Sequence, residues 1–394
     1  MIINPMVRNN IFLNAHPQGC EAEFSSHVAR LDALGGQRRD ARIKNVLVIG
    51  CSTGYGLASR EVAAFRYGAG TVGFSFEKAP SSNKPGSPGW YANRAFDREA
   101  KARGIFSATF DMDAFSHAAK TKAIEAAREN GFAYDLVIYS LASPVRVDPD
   151  SGTMYRSVIK PIGRDYAGMT ADVFSGKLSM AQVQAAEDPE IQQTVKVMGG
   201  EDWELWIAAL EKAGVLAEGC LTLAYSYLGP PMSWPIYRDG TIGKAKEDLE
   251  RAAKAMTSRG AAKGLKAYVS INKAVVTRAS AVIPIIPLYV STLFKVMKER
   301  KIHEDCLDQS VRLFAERLYQ ANGAAIPLDK EGRIRLDDLE MGQAVQDEVH
   351  SRLARVEESN LEELTDIEGF RSDFLRAHGF GVPGVDYSAD VDTL

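Results

Sequence analysis

The stretch NVLVIGCSTGYG at residues 45–56 decides the fold. It opens with a short apolar run, which is typical of a β-strand buried on both faces. Gly50, Gly54 and Gly56 follow, and residues 57–65 (LASREVAAF) continue as a predicted helix. Glycines between a strand and a helix let the backbone turn sharply and approach a pyrophosphate, whose charge meets the free amides of the helix N-terminus. The stretch therefore predicts a dinucleotide site.

The next strand supplies a second mark of such a site. Residues 71–76 (TVGFSF) are predicted to form a strand, and Glu77 follows it at about the 20-residue distance expected of an acidic ribose reader. Its carboxylate would accept a hydrogen bond from the adenosine 2′-OH and repel a 2′-phosphate, so we expect NADH rather than NADPH. Ser52 offers a further hydroxyl donor. Taken alone, Glu77 could equally well be an ordinary surface residue whose carboxylate is solvated and binds no ligand.

Strands and helices alternate beyond this unit. Residues 106–110 and 135–140 are predicted strands, with a helical stretch over about residues 115–130 between them. The alternation predicts an α/β fold with a Rossmann-type, doubly wound parallel sheet, whose ligands lie at the carboxyl ends of the strands. Asp111 and the Leu141–Ala142 turn are therefore expected to face the cofactor. A helix N-cap is an equally good role for Asp111.

Composition narrows the class of protein. Of 394 residues, 45% are hydrophobic and 25% charged, and the formal charge is −4, so we expect neither a disordered chain nor a general attraction to nucleic acid. The four cysteines form no CxxC pair and the histidines form no ligand cluster. We therefore predict no metal site, and a cytoplasmic protein with reduced thiols.

The longest apolar stretch is ASAVIPIIPLYVSTLF at residues 279–294. It is shorter than the roughly 20 residues that a membrane-spanning helix needs. Pro284 and Pro287 also remove backbone donors within it. We expect no membrane span. A bent segment that lines a pocket and a buried core helix both fit this pattern.

Tyrosines and lysines cluster in residues 222–246 (TLAYSYLGPPMSWPIYRDGTIGKAK). A phenol with a nearby ammonium can donate a proton where negative charge develops, as the reduction of a conjugated carbonyl requires. Tyr237 forms a Y-x6-K pattern with Lys244 and a Y-x8-K pattern with Lys246, and spacing alone does not select between them. A core tyrosine with a solvated lysine is the structural alternative.

Several longer blocks, taken together, resemble one family from end to end. The blocks are MVRNN (6–10), LNAHPQGC (13–20), GCSTGYGLASR (50–60), SFEK (75–78), PGWY (88–91), YSLASPVR (139–146), KVMGGEDWE (196–204), LAYSYLGP (223–230), GTIGKAKE (240–247), VTRASAVIPIIPLY (276–289) and LFKVMKE (293–299). By these blocks the sequence resembles the NADH-dependent trans-2-enoyl-CoA reductases and the related FabV-type enoyl-ACP reductases. The resemblance implies an enlarged short-chain-dehydrogenase fold with extra elements over the active site.

The resemblance also implies roles for particular residues. It implies a Y-x8-K pair, with Tyr237 as proton donor or oxyanion stabiliser, Lys246 as its electrostatic partner and Tyr227 as an auxiliary hydroxyl near the thioester. The implied cofactor residues are Gly50, Ser52, Gly54, Tyr55, Gly56, Phe76, Glu77, Asp111, Leu141, Ala142, Lys246 and Thr277. The implied substrate residues are Tyr227, Ile285, Ile286 and Phe294, so the apolar run becomes a substrate wall.

The implied reaction transfers a hydride from NADH to the β-carbon of a trans-2-enoyl thioester and protonates the α-carbon. We favour a CoA thioester, because residues 228–230 and the GTIGKAKE block are closer to the CoA branch; an acyl-carrier-protein thioester is the alternative. A ketone or alcohol dehydrogenase would place its pair at Y-x3-K, which is absent at Tyr237. A protein that only binds the dinucleotide would need neither Tyr237 nor Lys246.

We expect one enlarged Rossmann-like unit over residues 1–394. Residues 40–150 are its predicted dinucleotide-binding half, residues 151–330 the catalytic and substrate-binding half, and residues 331–394 a C-terminal helical packing segment. The expected assembly is a monomer or a homodimer. Nothing in the sequence demands a flavin.

Overall fold

The computed structural model describes residues 1–8, 11–278 and 286–393. Its strands are β1 (Val7–Arg8), β2 (Ile11–Phe12), β3 (Asn45–Ile49), β4 (Gly70–Ser75), β5 (Ser107–Asp111), β6 (Tyr134–Tyr139), β7 (Val145–Val147), β8 (Met154–Arg156), β9 (Tyr166–Ala171), β10 (Leu178–Val183), β11 (Leu216–Ser226), β12 (Lys266–Ile271) and β13 (Ile334–Arg335). Its α-helices are α1 (Pro17–Ala33), α2 (Gly54–Glu61), α3 (Pro88–Ala102), α4 (His117–Glu129), α5 (Asp188–Met198), α6 (Glu201–Ala213), α7 (Thr241–Arg259), α8 (Ile286–Glu299), α9 (Cys306–Arg312), α10 (Gln343–Leu353), α11 (Leu361–Leu364) and α12 (Ile367–Arg376).

Seven strands form a parallel central sheet in the order β13-β12-β11-β6-β3-β4-β5. The chain enters this sheet at β3 and adds β4 and β5 toward one edge. It then crosses back to add β6 on the other side of β3. This reversal opens a crevice at the carboxyl ends of β3 and β6, where doubly wound sheets bind their ligands. The predicted fold class is confirmed.

Both faces of the sheet are covered, which explains the apolar run in β3. Val46 and Val48 pack toward α1, α2 and α3, while Leu47 and Ile49 pack toward α4, α6 and α7. All four side chains are fully buried. A strand enclosed on both faces has no polar face, so its sequence cannot alternate.

A third apolar cluster lies beside the sheet and joins α8 to the C-terminal helices. Leu293 and Phe294 of α8 pack with Val345 of α10 and Phe370 of α12. Every residue of α8 from Ile286 to Phe294 is buried. The part of the apolar run that the structure describes is therefore a core helix.

Two antiparallel hairpins, β7–β8 and β9–β10, are inserted between β6 and α5. The sheet also takes β13 from the predicted C-terminal segment. The division of the chain at residues 150 and 330 stays a prediction. No helix within the described ranges is long and apolar enough to cross a membrane.

Candidate active site

The turn from β3 into α2 (residues 50–56, the glycine turn) leaves no room for a Cβ atom at two of its positions, Gly50 and Gly56. Gly50 has φ +90°, and a Cβ there would lie 2.4 Å from the backbone oxygen of Ser140. A Cβ on Gly56 would lie 1.8 Å from the Gly50 carbonyl oxygen. Glycine is therefore required at both positions. Thr53, the N-cap residue, makes no side-chain cap hydrogen bond, so the first amides of α2 are open to an anion such as a pyrophosphate.

Glu77 lies just past the carboxyl end of β4 and is held in place. Its carboxylate accepts a hydrogen bond from Ser52 Oγ at 2.7 Å and pairs with Arg278 Nη1 at 3.0 Å. The Glu77 side chain is only 7% exposed, whereas Phe76 beside it is exposed. Glu77 is therefore an oriented carboxylate beside the glycine turn and not a loose surface charge, which fits a ribose reader.

Three more predicted cofactor residues surround the turn. Leu141 and Ala142 follow β6 directly, and a Cβ on Gly50 would lie 3.1 Å from the Leu141 amide nitrogen. Thr277 follows β12, and its Cγ2 would lie 3.5 Å from a Cβ on Gly54. The carboxyl ends of β3, β6 and β12 thus converge on one place.

Tyr55 and Asp111 have partners of their own. The Tyr55 hydroxyl donates to the Lys273 carbonyl oxygen at 2.9 Å. Asp111 accepts a hydrogen bond from Ser75 Oγ at the end of β4. The N-cap of α4 is Ser116, so Asp111 does not cap that helix. Their roles toward a cofactor stay predictions.

The two lysines that spacing left open face opposite ways on α7. Lys244 is exposed and pairs with Glu247 at 2.9 Å. Lys246 points inward, and its Nζ donates to the Tyr225 carbonyl oxygen in β11 at 3.3 Å. Burial lowers the pKa of Lys246 to about 8. Only Lys246 therefore places an ammonium inside the fold beside the end of β11.

Tyr237 lies in the loop between β11 and α7. Its side chain is buried, and its ring stands edge-on to Tyr227, with centroids 5.0 Å apart and planes at 85°. Burial raises the pKa of Tyr237, so the hydroxyl keeps its proton at neutral pH. Among the described residues this hydroxyl has no hydrogen-bond partner, so its proton is available to a ligand.

The Tyr227 hydroxyl is committed to a residue that the sequence analysis missed. It donates to Glu340 Oε1 at 3.0 Å, and Tyr289 donates to the same oxygen at 2.6 Å. Glu340 is fully buried. It lies 113 residues from Tyr227 in the chain, and no local pattern marks it. The role of Tyr227 near a thioester stays a prediction.

A cavity of about 200 Å³ opens from the glycine turn. Its lining includes Ser52, Gly54, Thr277 and Arg278 at the turn, and Phe294, His303, Cys306 and Leu307 further away. Phe294 therefore lines the cavity, and its role in a substrate wall stays a prediction. Ile286 is buried at the start of α8, and Ile285 lies outside the described residues. Neither Tyr227 nor Tyr237 is among the cavity's described walls.

No group of three His, Cys, Asp or Glu side chains within the described ranges is arranged to hold a metal ion.

The geometry of the site by itself defines the class of protein. The glycine turn and Glu77 suit a dinucleotide, and the protonated Tyr237 with the inward Lys246 suits a reduction. Together with the sheet order, these features are those of a Rossmann-fold oxidoreductase.

Comparison with known proteins narrows this class. Three family models match in succession: the NAD(P)H binding domain of trans-2-enoyl-CoA reductase over residues 2–82, the trans-2-enoyl-CoA reductase catalytic region over residues 84–319, and the enoyl reductase FAD binding domain over residues 328–391. The chain belongs to the trans-2-enoyl-CoA reductase family.

Individual relatives cover the whole chain. A trans-2-enoyl-CoA reductase (NADH) from Treponema denticola is 53% identical over 398 residues, which span 100% of this chain and 99% of the relative. An enoyl-acyl-carrier-protein reductase (NADH) from Pseudoalteromonas atlantica is 48% identical over 394 residues, with 100% and 99% coverage. The crystal structure of the Treponema denticola enzyme in complex with NAD matches with a TM-score of 0.95 at 53% identity, covering 100% of this chain and 98% of that chain.

The C-terminal segment that matches the FAD-binding model does not fit a flavin. Within described residues 328–391, every buried side-chain nitrogen and oxygen has a hydrogen-bond partner. Asp337 pairs with Arg335 at 2.7 Å, and Thr365 donates to the Leu361 carbonyl oxygen at 2.7 Å. The apolar faces of α10, α11 and α12 are filled by the cluster around α8. Within described residues 328–391 there is therefore neither an unpartnered buried side-chain polar atom nor an unfilled apolar face on these helices to hold an isoalloxazine ring.

Proposed function

We propose that the protein reduces the trans-2 double bond of enoyl-CoA thioesters with NADH. The observation that carries the proposal is the uncommitted, protonated Tyr237 hydroxyl in the loop before α7, whose Lys246 points inward, in a chain that is 53% identical to a trans-2-enoyl-CoA reductase. An enoyl-acyl-carrier-protein substrate is the second candidate, favoured by the 48% identity to a reductase of that kind. A cytoplasmic location and a monomeric or homodimeric state remain part of the proposal.

Tyr237 donates a hydrogen bond to the thioester carbonyl oxygen, on which enolate charge develops. The bound NADH supplies the hydride for the β-carbon. The buried Lys246 ammonium lowers the cost of negative charge on the phenol and the substrate oxygen, because the surroundings have a low effective dielectric. A proton that comes from solvent is then added to the α-carbon of the enolate, which gives the saturated thioester.

The glycine turn and the first amides of α2 hold the pyrophosphate, and Glu77 accepts a hydrogen bond from the adenosine 2′-OH. Ser52 and Arg278 keep the Glu77 carboxylate oriented before the cofactor binds. Leu141, Ala142 and Thr277 border the same crevice, at the ends of neighbouring strands.

Replacing Glu77 by glutamine is expected to weaken the preference for NADH. The neutral amide no longer repels a 2′-phosphate, and Arg278 loses its ion-pair partner and becomes free to pair with that phosphate. We expect kcat/KM for NADPH, relative to NADH, to rise about tenfold. Steady-state rates with both cofactors measure this ratio. Glu99→Gln, which breaks an ion pair with Arg103 at the far end of α3, is the control; an unchanged ratio in Glu77→Gln would refute the ribose role.

The activity should fall as pH rises through about 8. Burial lowers the pKa of Lys246 to about 8, so its ammonium is fully present below that pH and is lost above it. Because Tyr237 needs the charged form, kcat/KM falls on the alkaline side. Lys273 is buried and its pKa is also lowered to about 8, so it is the rival source of this limb. In Lys246→Arg the charge persists and the limb should move to higher pH; a limb that stays in place would assign it to Lys273.

Turnover of matched thioesters tests the substrate. NADH consumption is followed with crotonyl-CoA and with crotonyl-acyl carrier protein at equal concentrations. A higher kcat/KM for the CoA ester supports the proposal, and a strong preference for the carrier-protein ester moves the enzyme to fatty-acid synthesis. Turnover of neither ester, with NADH still bound, would refute the enoyl reductase function.

A further inference from the structure

Glu340 is a buried carboxylate with three directed hydrogen bonds. It lies between β13 and α10, and its side chain has no exposure to solvent. Oε1 accepts from the hydroxyls of Tyr227 at 3.0 Å and Tyr289 at 2.6 Å, and Oε2 accepts from the Ala274 amide at 2.7 Å. Each oxygen of the carboxylate thus has at least one donor.

The three donors come from different parts of the site. Tyr227 follows β11 and packs edge-on against Tyr237. Ala274 follows β12, on the segment that leads to Thr277 at the glycine turn. Tyr289 lies in the first turn of α8, the helix that also carries Phe294 of the cavity wall. One carboxylate therefore links the catalytic tyrosines, the cofactor side and the substrate side.

The charge around Glu340 indicates a role beyond filling space. Burial raises the pKa of Glu340, and the hydrogen bonds from Tyr289 and Ala274 oppose that rise. The charge of buried Lys273 also lowers the pKa of Glu340, but the Lys273 ammonium donates to the Ala274 carbonyl oxygen at 2.8 Å and not to the carboxylate. An apolar side chain would fill such a position without the cost of burying a carboxylate. Directed hydrogen bonds, in contrast, fix the orientation of each donor.

We propose that Glu340 is a positioning residue, which orients Tyr227 and thereby holds the catalytic Tyr237 ring edge-on beside it. The inference rests on the proposed function, because it takes Tyr237 as the hydrogen-bond donor to the enolate oxygen. It also gives the C-terminal segment a part in the site, which is to supply this carboxylate. Glu340 acts through Tyr227 and touches neither substrate nor cofactor.

A double-mutant cycle between Glu340 and Tyr227 tests the inference. Glutamine at position 340 has one acceptor oxygen in place of two. With that oxygen on the Ala274 amide, its NH2 group faces the two tyrosine hydroxyls, which must then accept instead of donate and turn their protons elsewhere. We expect Glu340→Gln to lower kcat for crotonyl-CoA about tenfold and to leave KM for NADH within about twofold. In the Tyr227→Phe background the same substitution should lower kcat by less than about twofold, because the hydroxyl it orients is already gone.

The outcomes separate a positioning role from a structural one. Equal losses of kcat in the two backgrounds, or a kcat of Glu340→Gln within about twofold of the wild type, would overturn the inference. Tyr289→Phe is the matched control, since it removes the other hydroxyl from the same oxygen; its kcat should fall by less than about threefold. A wild type that reduces neither thioester overturns the proposed function itself, whereas additive losses in an active enzyme overturn only the role of Glu340.

A second, milder variant tests the same inference if the Glu340→Gln protein does not fold. Gln346 donates to the Glu340 backbone carbonyl oxygen at 2.7 Å and to the Tyr289 hydroxyl at 3.2 Å, so it holds the Glu340 backbone and one of the carboxylate's donors in place. Gln346→Leu should lower kcat about two- to fivefold in the wild-type background and leave it unchanged in Tyr227→Phe. The same loss in both backgrounds would overturn the inference.

Discussion

Replacing Tyr237 by phenylalanine should lower kcat for crotonyl-CoA reduction about 10²- to 10³-fold. The substitution keeps the buried ring and its edge-on contact with Tyr227 but removes the O–H to which we assign the stabilisation of the enolate oxygen. NADH binding should stay within about twofold of the wild type, because the glycine turn and Glu77 are untouched. Steady-state kinetics and a fluorescence titration with NADH measure the two quantities separately.

Tyr134→Phe is the control for the loss of a buried phenol. The Tyr134 hydroxyl donates to the Ala123 carbonyl oxygen at 2.8 Å in the core under α4. Its loss should cost about 1 kcal/mol of stability and leave kcat unchanged. A Tyr237→Phe enzyme that keeps more than about a tenth of the wild-type kcat would show that another group stabilises the enolate.

Replacing Gly50 by alanine should weaken NADH binding more than about 100-fold. The residue has φ +90°, which is strained for alanine, and the new Cβ would lie 2.4 Å from the Ser140 backbone oxygen. Either β3 or the end of β6 must shift, and the crevice between them changes shape. A fluorescence titration with NADH and thermal unfolding of the same protein measure the effect.

Gly35→Ala is the control that separates the backbone strain of a positive φ from the steric clash of a new Cβ. Gly35 has φ +88°, nearly the same as Gly50, but a Cβ there would meet nothing within 4 Å. We expect a stability loss of about 1 kcal/mol and unchanged NADH binding. If Gly50→Ala bound NADH as tightly as Gly35→Ala, the glycine turn would not be the pyrophosphate site.

The strand, turn and helix of the glycine-rich unit could be predicted because their signals are local. The strand, the turn and the helix at residues 45–65 follow one another directly. The glycines are required by contacts within that unit and with Ser140, which follows the neighbouring strand β6. The predicted strands at residues 71–76 and 106–110 differ from β4 and β5 by one residue at each end. Strand ends depend on which neighbour continues the hydrogen-bond ladder, and the sequence does not show that.

The structure of residues 151–330 depends more on tertiary contacts, so less of it could be predicted. Spacing could not choose between Lys244 and Lys246, because the choice is made by which side of α7 packs against the end of β11. The hairpins β7–β8 and β9–β10 were not predicted, since β7 and β8 have only three residues each, and β9 and β10 consist mostly of exposed or partly buried residues. The position of Glu340 in the site could not be predicted, because its hydrogen-bond partners lie 51 to 113 residues away in the chain.

Deuterium labelling tests the central claim most directly. Crotonyl-CoA is reduced with NADH that carries deuterium at the transferable C4 position in ordinary water, and separately with unlabelled NADH in deuterium oxide. We predict that the cofactor's deuterium appears at the β-carbon of the saturated thioester and that the solvent's deuterium appears at the α-carbon. Deuterium from the cofactor at the α-carbon, or none from the cofactor in the product, would contradict hydride transfer to the β-carbon of an enoyl thioester.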